Sequence, residues 1–295
     1  MKAIPSDWSR GWVVLFASLS NALRASIVAF PILSVAIPAH AHGPIFSPGP
    51  HTPFKGAYEP HIEYRQERAT GAGEERTEQE LVVGLGYGLT ADLEVKVELP
   101  YVWKDEGGRA ESGVGDMVVG TKYRFLRIDS PGLQRSIAAH FQIKLPTGDD
   151  DTAPRLGSGS TDYLGALSAG YEGRRWYGFA STRYRLNTEG AGGLRKGDRR
   201  FLDLTGGVRP WLTGYREPDW VFLLELNWEH AARDELNGKS VANSGGSEIF
   251  ASPGIFWTLR NHAIRTGVQV PLTSDLNGTQ AETDYRFKLG YEGHF

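Results

Sequence analysis

The 295-residue chain contains no cysteine and two methionines, which excludes a disulfide framework, a thiolate nucleophile and any thiolate metal site. An excess of either charge is missing too. The 32 Lys and Arg against 35 Asp and Glu leave a formal net charge of -3, a balance that argues against nucleic acid as a partner. After residue 41 no apolar run approaches the roughly 20 residues of a spanning helix, and no long stretch keeps the 3.6-residue apolar period. Nor is there a compact Ser/His/Asn or Asp/His motif, since His140 and His230 stand apart from one another. No enzymatic activity and no cofactor are expected on these grounds.

The first 41 residues differ from the rest. Lys2, Arg10 and Arg24 precede an apolar stretch, Ala25 to Ile37 (ASIVAFPILSVAI), and Ala39-His40-Ala41 then offers a small-x-small cleavage pattern. Residues 1–41 therefore read as a signal peptide cut after Ala41. An uncleaved inner-membrane anchor is the alternative, and the shortness of the run and its prolines weigh against it.

Beyond the leader the organising signal is a period of two. In Asp92 to Trp103 (DLEVKVELPYVW), Leu93, Val95, Val97, Leu99, Tyr101 and Trp103 fall on one face, and Asp92, Glu94, Lys96 and Glu98 on the other. Twelve such segments recur, at 56–67, 77–89, 92–103, 115–127, 135–146, 161–172, 175–187, 200–211, 219–230, 247–259, 262–271 and 283–295. Long Gly- and charge-rich connections such as Lys104 to Val114 alternate with tight ones such as Gly173-Arg174 and Arg260-Asn261. An even number of strands with long loops on one side and short turns on the other predicts a single all-β domain over 56–295. The expected architecture is a transmembrane antiparallel up-and-down barrel of about 12 strands, with both ends in the periplasm. A soluble β-sandwich would leave many strand edges open and would not account for the aromatic ends of the apolar faces. Three strands end apolar-x-apolar-Pro, at Pro100, Pro146 and Pro271, and proline is expected near a rim or a bulge.

With apolar side chains facing outer-membrane lipid, their alternating partners face the lumen. The early strands contribute His61, Glu63, Arg65, Glu94, Lys96, Glu98, Lys122, Arg124, His140 and Lys144. The later ones add Arg183, Arg185, Arg209, Glu225, Glu229, Arg265, Arg286 and Lys288. Both signs occur in similar number, so no ion class is named by a single-sign ring. A twelve-stranded lumen is narrow and can be largely filled. Small inward residues, among them Gly84, Gly88 and Gly170, either line a path for a small, partly apolar solute or fit the barrel taper.

Residues 42–55 hold four prolines together with His42 and His51, and read as an irregular periplasmic arm, either flexible or plugged into the barrel mouth. If the amine of His42 is freed by cleavage, it and the two imidazoles are candidate ligands for Cu(II) or a similar ion. No Cys or carboxylate cluster completes that site.

The chain ends DYRFKLGYEGHF, with Tyr285, Phe287, Leu289, Tyr291 and Phe295 on one face. This terminal row resembles the signal by which the barrel-assembly machinery recognises its clients, with Gly293 standing where a larger apolar residue is usual.

HGPIFSPGPHTPFKGAYEPHIEY after the leader, the block IKLPTGDDDTAPRLGSGSTDYLGALSAGYEGRRWY and the closing YRFKLGYEGHF together resemble the outer-membrane transporter-like family named for the meta-pathway of phenol degradation. The resemblance spans nearly the whole chain after residue 41. It implies a channel or transporter for small, often aromatic or hydrophobic molecules, and carries over no catalytic or ligand residue. The histidine-bearing arm resembles members associated with metal resistance, so a non-conducting structural or metal-binding envelope barrel is the rival reading. A barrel predicts that gel mobility changes on boiling. Equal mobility, with recovery in the soluble periplasmic fraction, would refute it.

Overall fold

The computed structural model describes residues 43–295 except 72 and 215, so the leader assigned to 1–41 and His42 lie outside the described residues. The period-two segments form twelve long strands: β1 (Tyr58–Gly71), β2 (Glu74–Gly88), β3 (Leu93–Glu106), β4 (Val118–Ser130), β5 (Leu133–Lys144) and β6 (Asp162–Gly173), followed by β7 (Trp176–Leu186), β8 (Arg199–Val208), β9 (Asp219–Ala231), β10 (Gly246–Leu259), β11 (His262–Leu276) and β12 (Glu282–Gly293). Each pairs antiparallel with the next, and β12 returns to β1 in a register from His61↔Glu292 to Thr70↔Glu282. The sheet is thus a closed barrel with no free edge. At its seam the Tyr58 amide donates to the Phe295 carbonyl at 2.7 Å, and the Phe295 amide returns a bond to the Tyr58 carbonyl at 2.9 Å.

Several strands run past the ends that the sequence period predicts. β1 and β2 continue to Gly71 and Glu74 and join through a tight turn, where a long connection was expected. The stretch 104–114 folds as a hairpin, with Arg109–Val114 returning against β3 across Gly107 and Gly108. These extensions are polar on both faces, as in Arg68, Thr70, Glu75 and Arg76, so no alternation marks them. In the other direction, β8 stops at Val208 rather than 211. The prolines sit where the ladder is irregular. Pro100 lies where β3 changes partner between Val118 and Val114, Pro146 follows the end of β5, and Pro271 pairs with Phe250 at a bulge.

The two faces of every strand differ sharply. Val83, Leu85, Leu99, Leu202, Leu204 and Leu224 are exposed on the outside, while Val82, Glu94, Asp203 and Glu225 are buried inside. A continuous exposed apolar belt of this kind belongs in lipid. Tyr101 and Trp103, 4.7 Å apart, edge it toward the long loops, and Trp220 and Trp257, 6.4 Å apart, toward the short turns. Such aromatic girdles mark the two membrane interfaces.

On β12 the residues Tyr285, Phe287, Leu289 and Tyr291 lie on the lipid face. A Cβ at Gly293 would come 2.5 Å from the Phe295 ring, which also meets His262 edge-on at 5.9 Å. The glycine at this position therefore makes room for the terminal aromatic. Deleting Phe295 removes both seam hydrogen bonds with Tyr58, and is expected to reduce the heat-modifiable, membrane-inserted fraction severalfold. Unchanged insertion would refute this.

Candidate functional site: the plugged lumen

The arm 43–56 lies inside the barrel, at the end that carries the short turns. Its prolines forbid a regular strand, so its backbone polar groups are satisfied by lumen side chains. The Ile45 and Phe46 amides donate to Glu225 Oε1 at 2.5 and 3.0 Å, and the Ser47 hydroxyl donates to Glu225 Oε2 at 2.9 Å. Lys288 Nζ donates to the Ile45 carbonyl at 3.3 Å and sits over the Phe46 ring at 5.3 Å. Lys122 Nζ donates to the His51 carbonyl at 2.5 Å. One residue, Ile45, is thus gripped by an acid on β9 and an ammonium on β12. Charge-assisted bonds of this type are the stronger ones.

Below these contacts Ile45 and Phe46 pack with Tyr177, Phe179, Val221, Leu223, Phe256 and Ala263 in an apolar cluster within the barrel. Burial of each arm side chain contributes about 1.5–3 kcal/mol. Several of the small inward residues are the imprint of the arm, whereas Gly84 makes room for the His61 ring. A Cβ at Gly88 would strike the Phe54 carbonyl, one at Gly170 would meet Pro50, one at Gly254 Ile45 and one at Gly267 Phe46. They do not line an open path here.

The predicted inward charges form a set of networks. Glu63 accepts from Arg65 at 2.5 Å and Arg265 at 2.9 Å, with Lys288 at 3.9 Å. Asp203 binds Arg183 at 3.0 Å, Ser181 and Asn227, and Asn227 in turn accepts from Ser252 and Gln269. Arg286 spans from Glu67 at 2.7 Å to Glu229 at 3.0 Å, and Glu229 also takes Arg199. Further pairs are Lys96–Glu98 with His61 at 3.6 Å, Lys122–Glu94, Arg124–Asp92 and Arg209–Asp219. His140 shares a hydrogen bond with the buried Ser168 at 2.7 Å. Arg185 makes no hydrogen bond or ion pair with any described residue.

At the short-turn rim His294 lies 3.3 Å from Glu59 and 3.6 Å from Glu292. Burial pulls its pKa down, but the two facing carboxylates, Glu292 and Glu59, outweigh that and raise it to about 10. The neighbouring His51 is held down to about 3, chiefly by burial, with His294, Lys122 and Arg124 acting in the same direction against Glu59. His51 Nδ1 is buried without a hydrogen-bond partner. Of the metal pair read from the sequence, His42 lies outside the described residues. Among those described, the metal-type donors that cluster are Asp149, Asp150 and Asp151 on an exposed loop.

Toward the long loops the lumen opens into a cavity of two lobes, about 450 and 460 Å³, both lined by Arg65, Arg76, Lys144, Arg185 and Lys196. Its wall is completed by the Leu145 to Thr161 connection, the LPTG-bearing block. Asp116 and Asp162 hold that block in place. Asp116 accepts from the Gly148 amide at 3.0 Å and the Ser158 amide and hydroxyl at 2.9 and 2.6 Å. Asp162 accepts from Ser160, Thr188 and Lys144. Neither the arm contacts nor this wall is visible as a period in the sequence, because both are irregular backbone. The inward glycines are the one signal that points to the arm.

The barrel resembles two crystallised outer-membrane proteins. One is an outer membrane channel from Pseudomonas putida F1, at 16% identity, with a TM-score of 0.68 and coverage of 84% of this chain and 99% of that one. The other is the β-domain of the Bordetella autotransporter BrkA, at 15% identity, with a TM-score of 0.53 and coverage of 81% and 100%. At these identities the likeness is one of fold. No curated protein matches the chain in sequence. The family model described as "Putative MetA-pathway of phenol degradation" matches residues 58–287, from the first residue of β1 into β12, and the chain belongs to that family.

Proposed function

We propose that the protein is an outer-membrane channel for small molecules, closed at rest by its own N-terminal arm. The observation that carries this reading is the contrast between the two halves of the lumen. One half is a polar cavity of several hundred Å³ bounded by charged side chains, and the other is sealed by a segment that is continuous with β1 but held in its seat by noncovalent contacts. In this orientation the short turns and the arm face the periplasm and the cavity faces outward. A solute enters the cavity freely and passes when the arm leaves Glu225 and Lys288. The family membership supports a transport role for small, aromatic or hydrophobic compounds.

A sealed, non-conducting barrel is the second reading, favoured by the apolar cluster around Ile45 and Phe46. Conductance in a planar bilayer separates the two. Glu225→Gln keeps the shape but weakens three charge-assisted bonds, which amounts to roughly 1.5–3 kcal/mol. Open probability is therefore expected to rise about 10- to 100-fold over wild type. If both proteins stay closed at every voltage, and a chain lacking 43–55 does too, the channel reading fails.

The arm also makes a pH dependence. His51 has a pKa near 3 when seated, against 6.5 ordinarily, so the seated state holds its advantage above pH 6.5 and loses it as pH falls from there toward 3. The groups facing this ring are Glu59, which favours its protonation, and His294, Lys122 and Arg124, which oppose it. Openings are expected to become more frequent between pH 7 and 4, with His51→Gln showing a flatter profile. Superimposable profiles for the two proteins would refute the assignment to His51.

A further inference from the structure

The cavity on the long-loop side does not balance its charges. The acids lining its first lobe are all engaged: Glu78 by Arg76 and Lys104, Glu80 by Arg65, Glu98 by Lys96, Glu106 by Arg76, and Asp116 and Asp162 by Lys144. Among the described residues three cations of the same lobe have no carboxylate. Arg155 donates only to the Ala191 carbonyl, at 2.7 Å, and Arg185 and Lys196 make no ion pair. The acids that act on Arg185 electrostatically are Glu229, taken by Arg199 and Arg286, and Asp162, taken by Lys144. Lys196 has Arg199, Arg76 and Lys104 around it, with Glu78 already shared between two of them. Confined cations without counter-charge create a local positive potential that an entering anion relieves.

The opposite wall has a different character. β2 and β3 stand across the ring from β7 and β8. The half-buried Pro100 of β3 and Val118 of the adjoining β4 line the lobe there, backed by Val82 and Val102, while Leu164 lies beside Arg185 as its cross-strand neighbour. The inward-facing alternation that supplies charge elsewhere is interrupted at these positions. A cavity with cations on one side and aliphatic surface on the other matches a ligand that is itself two-sided.

We propose that this lobe is a binding site for a small organic carboxylate with an apolar body. The carboxylate sits between Arg185 and Lys196, and the body lies against the aliphatic wall. Arg185 offers the planar fork suited to bidentate carboxylate recognition. The inference rests on the channel reading and names the solute class that the channel selects at its outer half.

Calorimetric titration of the purified full chain in nonionic detergent tests it, with benzoate, benzamide, acetate and inorganic phosphate as probes. Benzoate is expected to bind at least about tenfold more tightly than benzamide, which lacks the charge, and than acetate, which lacks the ring. The double substitution Arg185→Gln and Lys196→Gln should abolish the preference for benzoate over benzamide, while Arg185→Lys retains part of it. Neither side chain supports an ion pair, so these variants are expected to keep the boiling-dependent mobility of the folded barrel. Equal affinity for benzoate and benzamide, tighter binding of phosphate than of benzoate, or unchanged binding in the double variant would each overturn the proposal. Benzoate binding in a barrel that never conducts would leave the site standing and remove the channel reading. Conductance without benzoate binding would do the reverse.

Discussion

Backbone hydrogen bonding is the constraint on which the rest of this molecule depends. In the hydrocarbon layer no water is available to an open N–H or C=O, so the ladder must close on itself, and it does so from β1 to β12. Closure fixes the alternation of faces around the whole ring, because a one-residue slip at any pair would turn charge to lipid. The bulges near Arg68, Arg124 and Ile249 adjust the register without breaking it. The same closure creates an interior where charged side chains have little water and must satisfy each other.

That second requirement explains the density of ion pairs. Paired charges in a confined space lose solvation and regain it only through good geometry and full hydrogen bonding. Glu63 and Asp203 are saturated by several donors each. Glu225 would be an isolated buried acid on its own wall, and its donors come instead from the arm's backbone. The plug is thus part of the polar accounting of the barrel. Its removal exposes a carboxylate and an ammonium, Lys288, that hydrate readily only if water follows.

Much of the fold was legible in the sequence. Leu93 to Trp103 alternates so strictly that the lipid and lumen faces can be read directly, and the twelve strands stand where the period places them. The misplaced ends, such as Gly71 and Glu74, lie beyond the membrane, where both faces are wet and alternation carries no selection. The inward charges could be named residue by residue, but not their partners. Arg286 reaches Glu229 from three strands away, a distance that only ring closure determines. The glycines opposite the arm were visible as small residues, and their meaning was not, since a gap in a wall does not name what fills it. The unpaired state of Arg185 was equally hidden, because its charge looks the same as its neighbours' until every acid has been assigned.

The arm precedes β1 directly, joined through Gly56 with its positive φ. A plug so tethered meets its seat at an effective concentration in the millimolar range, whatever the abundance of the protein. It cannot be diluted away, and contact within a chain of this length recurs in tens to hundreds of nanoseconds. Any solute that displaces it competes with a ligand that never diffuses off. Under the proposed gating, such a barrel is a self-resealing wall, in which each vacancy is short and the membrane's barrier is restored by the chain's own arm.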